Sequence, residues 1–160
     1  MVKRSKLPGA GKGLFTKVPI AKGMRIVEYT GEILTWKEVE KMTEERNGYV
    51  FYVNSKHVID AWNAKKALAR YANDAKGIAR VEGIRNNAEY VVEKKRCYID
   101  AAKNIEAGAE ILVGYGAEYW QVIRYNIRLE EKKKKTGKTK AILPHHQLAK
   151  RSTRKNTSFA

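Results

Sequence analysis

Residue types that support metal, disulfide or nucleophilic chemistry are scarce in this chain. One cysteine, Cys97, and three histidines occur among its 160 residues. A single cysteine excludes an intrachain disulfide and a cysteine-rich zinc cluster, and no carboxylate–histidine spacing matches a metal site. Cys97 stands in a strand-like run, where we expect it to be packed in the core rather than to act as a nucleophile. The sequence therefore predicts no resident metal.

Long apolar runs are also missing. No stretch approaches the ~20 apolar residues that span a bilayer. The basic segment Met1–Lys6 leads into Leu-Pro-Gly rather than an apolar core, which argues against a signal peptide. Hydrophobic residues nevertheless make up 43% of the chain, enough to bury a core in a single domain. We therefore expect a nuclear or cytoplasmic protein that does not contact a membrane.

Acidic residues are few relative to basic ones. Lys and Arg total 33 against 17 Asp and Glu, a net charge of +16. Residues 130–160 hold ten of these basic residues and two Glu, and apolar residues become sparse there. We predict that residues 132–160 form a basic, disordered tail. The charge favours DNA, nucleosomes or another acidic partner, and a merely solubilising surface is the alternative.

Short alternating runs separated by turns dominate residues 1–120. Four of these runs pair by their spacing into two hairpins: Tyr49–Val53 with His57–Asp60, and Tyr90–Glu93 with Arg96–Ile99. Helical spacing is confined to residues 36–48 and to the segment from Trp120 onward. The pattern predicts a mainly β domain of several small sheets over residues 1–120, with a C-terminal helix over 121–131 packed on it.

A glycine-rich opening precedes the first strand-like run. It does not match a P-loop, because Gly11-Lys12 is followed by Gly13 rather than Ser or Thr. It does not match the dinucleotide pattern G-x-G-x-x-G either, because Leu14 and Thr16 occupy the third glycine position. What remains is a turn whose main chain can approach a ligand closely.

Taken in order, four segments resemble the SET-domain family of protein-lysine methyltransferases, in a compact form without the pre-SET and post-SET zinc modules. Each segment carries part of a family motif: Gly9–Phe15, Ile20–Glu32, Ile59–Asp74 and Ala102–Trp120. The last of them holds Tyr115-Gly116 followed by Tyr119-Trp120, a form seen in compact members. The resemblance covers about residues 7–120.

The resemblance implies a fold, a cofactor and a reaction. The fold is a β-clip-like SET domain with short helices, in which the Asn73 segment and the C-terminal segment pack together as a pseudoknot. The cofactor is S-adenosylmethionine, which leaves as S-adenosylhomocysteine, and no metal takes part. Three departures from the family pattern stand out: Asp74 replaces the usual His, Ala75 replaces the usual Ser or Thr, and Asn86 replaces the Pro before Asn87. We expect these departures to alter cofactor affinity rather than abolish it.

Matching the family motifs position by position implies roles for individual residues. Tyr115 corresponds to the catalytic tyrosine. The lysine channel corresponds to Tyr29, Tyr119 and Val113. The cofactor-binding positions correspond to Lys12, Gly13, Leu14, Tyr49, Arg70, Asn73, Asp74 and Trp120. Tyrosines suit such a channel, because their faces attract an incoming cation and their hydroxyls orient the nitrogen.

Val113 bears on how many methyl groups are added. It lies two residues before Tyr115, where family members often have Phe or Tyr. Because valine is smaller and holds no water beside the amine, we predict room for di- or trimethylation. A compensating tyrosine elsewhere would defeat this.

Two classes of function stay open on the sequence. The first is methyl transfer to a protein lysine, with a histone tail as the preferred substrate and a non-histone protein as the alternative. The second is a catalytically silent SET-like binding module with a nucleic-acid-binding tail. Asp74 and Asn86 are the features that keep the second hypothesis open.

Overall fold

A computed structural model of the chain describes residues 1–42, 48–77 and 79–136. Those residues form nine short strands, two α-helices and a 3₁₀ helix, Leu68–Tyr71. The strands are β1 (Val2–Arg4), β2 (Lys12–Phe15), β3 (Arg25–Tyr29), β4 (Glu32–Leu34), β5 (Val50–Asn54), β6 (His57–Asp60), β7 (Ala88–Glu93), β8 (Arg96–Ala101) and β9 (Glu110–Ile111). The helices are α1 (Trp36–Val39) and α2 (Ala117–Thr136).

The strands form three antiparallel sheets of three strands each. The orders are β1-β2-β9, β3-β8-β7 and β4-β6-β5. Strands this short bury too little surface to be stable alone, so each sheet depends on packing against the others. The predicted mainly β architecture of several small sheets is confirmed.

Both predicted hairpins are present. Strands β5 and β6 pair on either side of Ser55-Lys56, and β7 pairs with β8 across Lys94-Lys95. Lys94 and Lys95 both have positive φ, 46° and 68°. A two-residue turn with both central residues in this region matches the right-handed twist of the strands it joins.

Helix α1 is shorter than the helical spacing of residues 36–48 suggested. It ends at Val39, and the main chain continues as a tighter turn. The amides of Lys41 and Met42 donate to the carbonyls of Glu38 and Val39, each three residues earlier, at 3.2 and 2.9 Å. Such i→i+3 bonds are common where an α-helix ends. Residues 43–47 lie outside the described residues.

The segment after β9 is enclosed by two distant parts of the chain. Leu112 forms a parallel bridge to Asn73, and Val113 forms one to Ala88. The Asn87 side chain adds two bonds to this segment: its amide donates to the carbonyl of Glu110 at 2.8 Å, and its oxygen accepts from the amide of Leu112 at 2.9 Å. The Asn73 segment and the C-terminal segment therefore pack together, as the family resemblance implied.

Beneath these crossing segments lies the main core. Its fully buried members include Phe51, Cys97, Ile99 and Val113. Cys97 is packed as predicted, and burial raises the pKa of its thiol far above the usual range. A thiol in that state is a weak nucleophile.

Helix α2 differs from its predicted limits at both ends. It begins at Ala117 rather than 121 and ends at Thr136 rather than 131. The apolar spacing ends near Leu129, but Glu and Lys are good helix formers, and Glu130–Lys134 and Glu131–Lys135 have the favourable i, i+4 order. Residues 132–136 of the predicted disordered tail are therefore helical, and the rest of that tail, 137–160, lies outside the described residues. Neither described helix is long and apolar enough to cross a membrane.

Candidate active site

Tyr115 lies between β9 and α2 and is held at both ends. Its hydroxyl donates to the carbonyl oxygen of Ala72 at 2.6 Å. Its main-chain amide donates to Oδ2 of Asp74 at 2.8 Å. The ring packs against the main core. Because the hydroxyl and the main chain are both fixed by the segment around residue 73, the crossing of the two segments positions this tyrosine.

Asp74 is the centre of the hydrogen bonds at this site. Its residue surface is only 5% exposed. Oδ2 accepts from the Tyr115 amide and from Nε1 of Trp120 at 2.7 Å. Oδ1 accepts from the amide of Lys76 and from Nδ2 of Asn86, both at 2.8 Å. A carboxylate only accepts hydrogen bonds, and here all four donors point at it.

Asn86 completes this arrangement, although the sequence analysis noted it only as a departure from the family pattern. Its Oδ1 accepts from the amide of Ala75 at 2.8 Å while its Nδ2 donates to Asp74. Two of the positions that depart from the family pattern, 74 and 86, are therefore bonded to each other. The signal available in the sequence was that both departures introduce a small polar side chain.

The aromatic residues that open α2 surround Tyr115. The Tyr119 ring meets the Tyr115 ring edge to face, with centroids 5.2 Å apart. The Trp120 indole lies parallel to the Tyr115 ring, with an interplanar angle of 8° and centroids 5.8 Å apart. Tyr119 and Trp120 are consecutive residues in the first turn of α2. The position at which the helix starts therefore sets both contacts. Two tyrosines and a tryptophan thus form one aromatic cluster.

Tyr29 and Val113, the other predicted channel residues, lie in the core beside this cluster. Tyr29 is buried, and its hydroxyl donates to the carbonyl oxygen of Tyr49 at 2.8 Å. Val113 is fully buried in the same core group, against which Tyr115 packs. Tyr90, which the sequence did not single out, meets the Tyr29 ring edge to face at 6.1 Å. Tyr29, Tyr90 and Val113 therefore belong to one core group, against which Tyr115 packs.

Lys12, Gly13 and Leu14 run along β2 beside Asn73 and the buried Glu110. Nδ2 of Asn73 donates to the carbonyl oxygen of Lys12 at 2.9 Å. Gly13 permits this proximity, because a Cβ there would overlap Oε1 of Glu110. Glu110 also accepts from the Ser5 hydroxyl at 2.6 Å and from the Lys6 amide at 2.8 Å. The glycine-rich opening is thus fastened to the C-terminal segment by a carboxylate to which the sequence analysis gave no role.

Tyr49 and Arg70 form a separate contact next to Tyr29. The Arg70 guanidinium lies 4.2 Å above the centre of the Tyr49 ring. Nε of Arg70 is buried and has no hydrogen-bond partner among the described residues. The Trp62 ring packs edge to face on Tyr49 at 5.4 Å. An unsatisfied guanidinium N–H beside aromatic rings is able to donate a hydrogen bond to an anionic or carbonyl oxygen of a ligand.

The predicted site residues thus fall into three adjoining groups. The first is Asp74 with Tyr115, Tyr119 and Trp120; the second is β2 with Asn73; and the third is Tyr49 with Arg70, linked to the first through Tyr29 and the core. Lys12 contributes its main chain, and its side chain is exposed. A cavity of about 410 Å³ lined by residues 4–9 and Gly11 lies on the loop just before β2. No cluster of metal ligands is found in residues 1–42, 48–77 and 79–136.

Burial keeps the central tyrosines in their neutral form. It raises the pKa of the Tyr29, Tyr90 and Tyr115 hydroxyls well above their usual range. The unfolded chain releases these protons near pH ~10 while the folded chain retains them. The stability that these groups contribute is therefore complete below that pH and is lost as the pH rises beyond it.

A spectrophotometric tyrosine titration checks this protonation state. At about one unit above the ordinary tyrosine pKa of ~10, at least three of the nine tyrosines should remain protonated while far-ultraviolet circular dichroism shows the protein folded. Ionisation of all nine in the folded protein would contradict it. Tyr115→Phe should reduce the resistant set by one.

The family is settled by comparison with known proteins. The sequence model of the SET domain family matches residues 11–116, well over half of the chain. The chain belongs to the SET-domain family.

Relatives and solved structures agree with this assignment. Histone-lysine N-methyltransferase ASHH1 of Arabidopsis thaliana is 32% identical over 125 residues, which make up 72% of this chain and 24% of that protein. This chain thus spans about a quarter of that relative's length. A humanized mutant of the Chaetomium thermophilum Polycomb Repressive Complex 2 matches 72% of this chain and 14% of that chain, with a TM-score of 0.57 and 28% identity. The methyltransferase domain of human PR domain-containing protein 2 matches 74% of this chain and 77% of that domain, with a TM-score of 0.52 and 25% identity.

Proposed function

We propose that this chain is a protein-lysine N-methyltransferase that uses S-adenosylmethionine. The observation that carries the proposal is Tyr115. Its hydroxyl and main-chain amide are both fixed, at 2.6 Å to Ala72 and 2.8 Å to Asp74, within a cluster of neutral aromatic side chains. A rigid, water-poor aromatic site of this kind aligns a nitrogen with a methyl group.

Residues of the described chain fit the proposed cofactor. The buried, unpartnered Nε of Arg70 belongs to a guanidinium that can pair with the carboxylate of the cofactor. The main chain of Lys12, Gly13 and Leu14 would hold the cofactor together with Asn73. The Trp120 indole, whose Nε1 is bonded to Asp74, presents a flat face on which the adenine of the cofactor would stack. When bound, S-adenosylmethionine supplies a methyl group on a sulfonium and leaves as S-adenosylhomocysteine.

The chain's task is then to present a neutral lysine. A free lysine has a pKa near ~10.4, so at neutral pH only about one molecule in 10³ is uncharged. A channel walled by Tyr29, Tyr115 and Tyr119 disfavours the ammonium by desolvation. The lysine ammonium would release its proton to solvent before transfer, and its neutral nitrogen would then take the methyl group that the bound cofactor supplies, which leaves a methylammonium product. The Tyr115 hydroxyl orients the nitrogen.

A histone tail is the proposed substrate. Named relatives of this chain are histone-lysine methyltransferases, and the net charge of +16 suits a protein that works beside DNA. A nuclear or chromatin-associated location follows from this substrate. A non-histone protein is the alternative within the same reaction.

Methyl transfer from labelled S-adenosylmethionine to mixed core histones tests the proposal. Label on one histone would support it and leave only the lysine to be mapped by mass spectrometry. Measurable cofactor binding without label on any histone would redirect the search to other basic proteins. Absence of cofactor binding would favour the silent binding module, although the hydrogen bond between Asp74 and Asn86 argues for an intact site.

The product is expected to be di- or trimethyl-lysine. Val113 is fully buried beside Tyr115 and offers no hydroxyl to hold a water against the amine. Mass spectrometry of the product at long reaction times checks this. Strict monomethylation would contradict the prediction.

The basic C-terminal region is proposed to contact DNA. If it neutralises ~5 phosphates, the plot of log binding constant against log salt should have a slope of about −4 to −5. Replacing Lys132–Lys135 with glutamine should reduce the magnitude of that slope by about 1 for each contact removed. A slope near zero for the unaltered chain would rule the contact out.

A further inference from the structure

Two side chains that depart from the family pattern share the hydrogen bonds that fix the site. Asp74 and Asn86 are 2.8 Å apart between Oδ1 and Nδ2. The other carboxylate oxygen of Asp74 accepts both from the Tyr115 amide at 2.8 Å and from Nε1 of Trp120 at 2.7 Å. One oxygen atom therefore links the proposed catalytic residue to the proposed cofactor contact.

The chemistry of each side chain makes the two residues depend on each other. The Asn86 oxygen is used by the amide of Ala75 at 2.8 Å, so its amide nitrogen faces position 74. A carboxylate there offers two acceptor oxygens for four N–H donors. A proline at position 86 would leave Oδ1 of Asp74 without one donor, and a histidine at position 74 has at most one acceptor nitrogen. Asp74 therefore suits an asparagine at position 86 better than a proline, and Asn86 suits a carboxylate at position 74 better than a histidine.

The geometry points to Asp74 and Asn86 as a coupled pair of positioning residues that set both cofactor affinity and the rate of methyl transfer, a role that rests on the function proposed above. Asn86 holds the carboxylate, and the carboxylate holds Tyr115 and Trp120. A shift of the carboxylate moves both aromatic residues at once. Loss of the pair should therefore change kcat and the dissociation constant of S-adenosylmethionine together, which a general loss of packing far from these residues would not do.

Exchanging the two side chains tests the coupling. N86D places a second carboxylate against Asp74, and two such groups at hydrogen-bond distance repel each other. D74N leaves only one acceptor oxygen for four donors. The double variant D74N/N86D restores a donor facing an acceptor between the two positions and keeps an oxygen for Tyr115 and Trp120. Its remaining cost is that the Lys76 amide loses its acceptor and faces the new amide nitrogen.

For N86D we expect kcat to fall and the S-adenosylmethionine dissociation constant to rise, each by at least about tenfold. The double variant D74N/N86D should return both constants to within about threefold of their values in the unaltered protein. The coupling is disproved if N86D leaves both constants within twofold. It is also disproved if the double variant recovers thermal stability but neither constant, because the pair would then be purely structural.

A readout independent of catalysis separates this inference from the proposed function. The near-ultraviolet circular dichroism of Trp120, obtained by subtracting the spectrum of W120F, reports whether the indole keeps its place. If the unaltered protein neither binds S-adenosylmethionine nor methylates histones, recovery of this signal in D74N/N86D upholds the pair while the proposed function fails. Loss of the signal in both N86D and D74N/N86D overturns the pair.

Discussion

Tyr115→Phe is expected to lower kcat for lysine methylation by about 10²-fold or more, the size of effect found when one preorganised hydrogen-bonding group is removed from an active site. The variant loses only the hydroxyl, which donates to the carbonyl oxygen of Ala72 at 2.6 Å. The phenylalanine ring can still lie parallel to Trp120, and the main-chain amide can still donate to Asp74. Cofactor affinity should therefore stay close to that of the unaltered protein.

The cost of this substitution to folding is expected to be small. Loss of one hydrogen bond destabilises a protein by about 1 kcal/mol, well below what unfolds a domain of ordinary stability. Single-turnover kinetics with labelled cofactor separate the chemical step from binding.

Tyr125→Phe is the matched control for Tyr115→Phe. It makes the same chemical change on helix α2 at a residue that is 45% exposed, and it should leave kcat and stability unchanged. If Tyr115→Phe retained kcat within threefold of the unaltered enzyme, the lysine nitrogen would have to be oriented by another hydroxyl. Tyr29 and Tyr119 would then be the next residues to substitute.

Gly31→Ala is expected to lower the free energy of unfolding by more than about 2 kcal/mol, more than the other single substitutions proposed for this chain. Gly31 lies between β3 and β4, against the end of β6. A Cβ there would overlap the carbonyl oxygen of Asp60 and lie 2.9 Å from the main-chain nitrogen of Ala61. Both are main-chain atoms and cannot rotate away as a side chain would. Relief requires a shift of the strand that carries Tyr29, so activity should fall with stability.

Gly48→Ala is the control for Gly31→Ala. A Cβ at Gly48 meets nothing within 4 Å, and substitution there should change the urea midpoint little. If Gly31→Ala and Gly48→Ala had equal urea midpoints, the prediction would be wrong. The main chains of β4 and β6 would then move apart more easily than their packing indicates.

The positions of the candidate site residues were predictable to different degrees. Tyr115, Asn73 and Gly13 were found because each stands in a short motif whose order along the chain resembles the SET-domain family. Glu110 received no role, and Asn86 was noted only as a departure from the family pattern, because their partners do not adjoin them in sequence. The Ser5 hydroxyl that bonds Glu110 is 105 positions away, and the Asp74 carboxylate that bonds Asn86 is 12 positions away. Hydrophobic periodicity does not report contacts of this kind.

Helix α2 shows the same limit for secondary structure. Its apolar spacing located the helix, since Trp120, Ile123 and Ile127 recur at helical intervals. Its ends were misplaced because they depend on other effects. The start is set by the turn after Tyr115-Gly116, and the continuation through Thr136 by helix-forming Glu and Lys residues that bury almost nothing.

The sequence by itself determined that this is a mainly β SET-family domain with an excess of positive charge. The alternation of apolar and polar residues, the turn residues and the order of the motifs can all be read along the chain before it folds. Only the tertiary structure decided how the site is held together. Asp74, Asn86, Tyr115 and Trp120 meet because the C-terminal segment passes between the Asn73 and Asn87 segments. That crossing places hydrogen-bond donors from three separate stretches of chain around one buried carboxylate, and this convergence arises only when the chain folds.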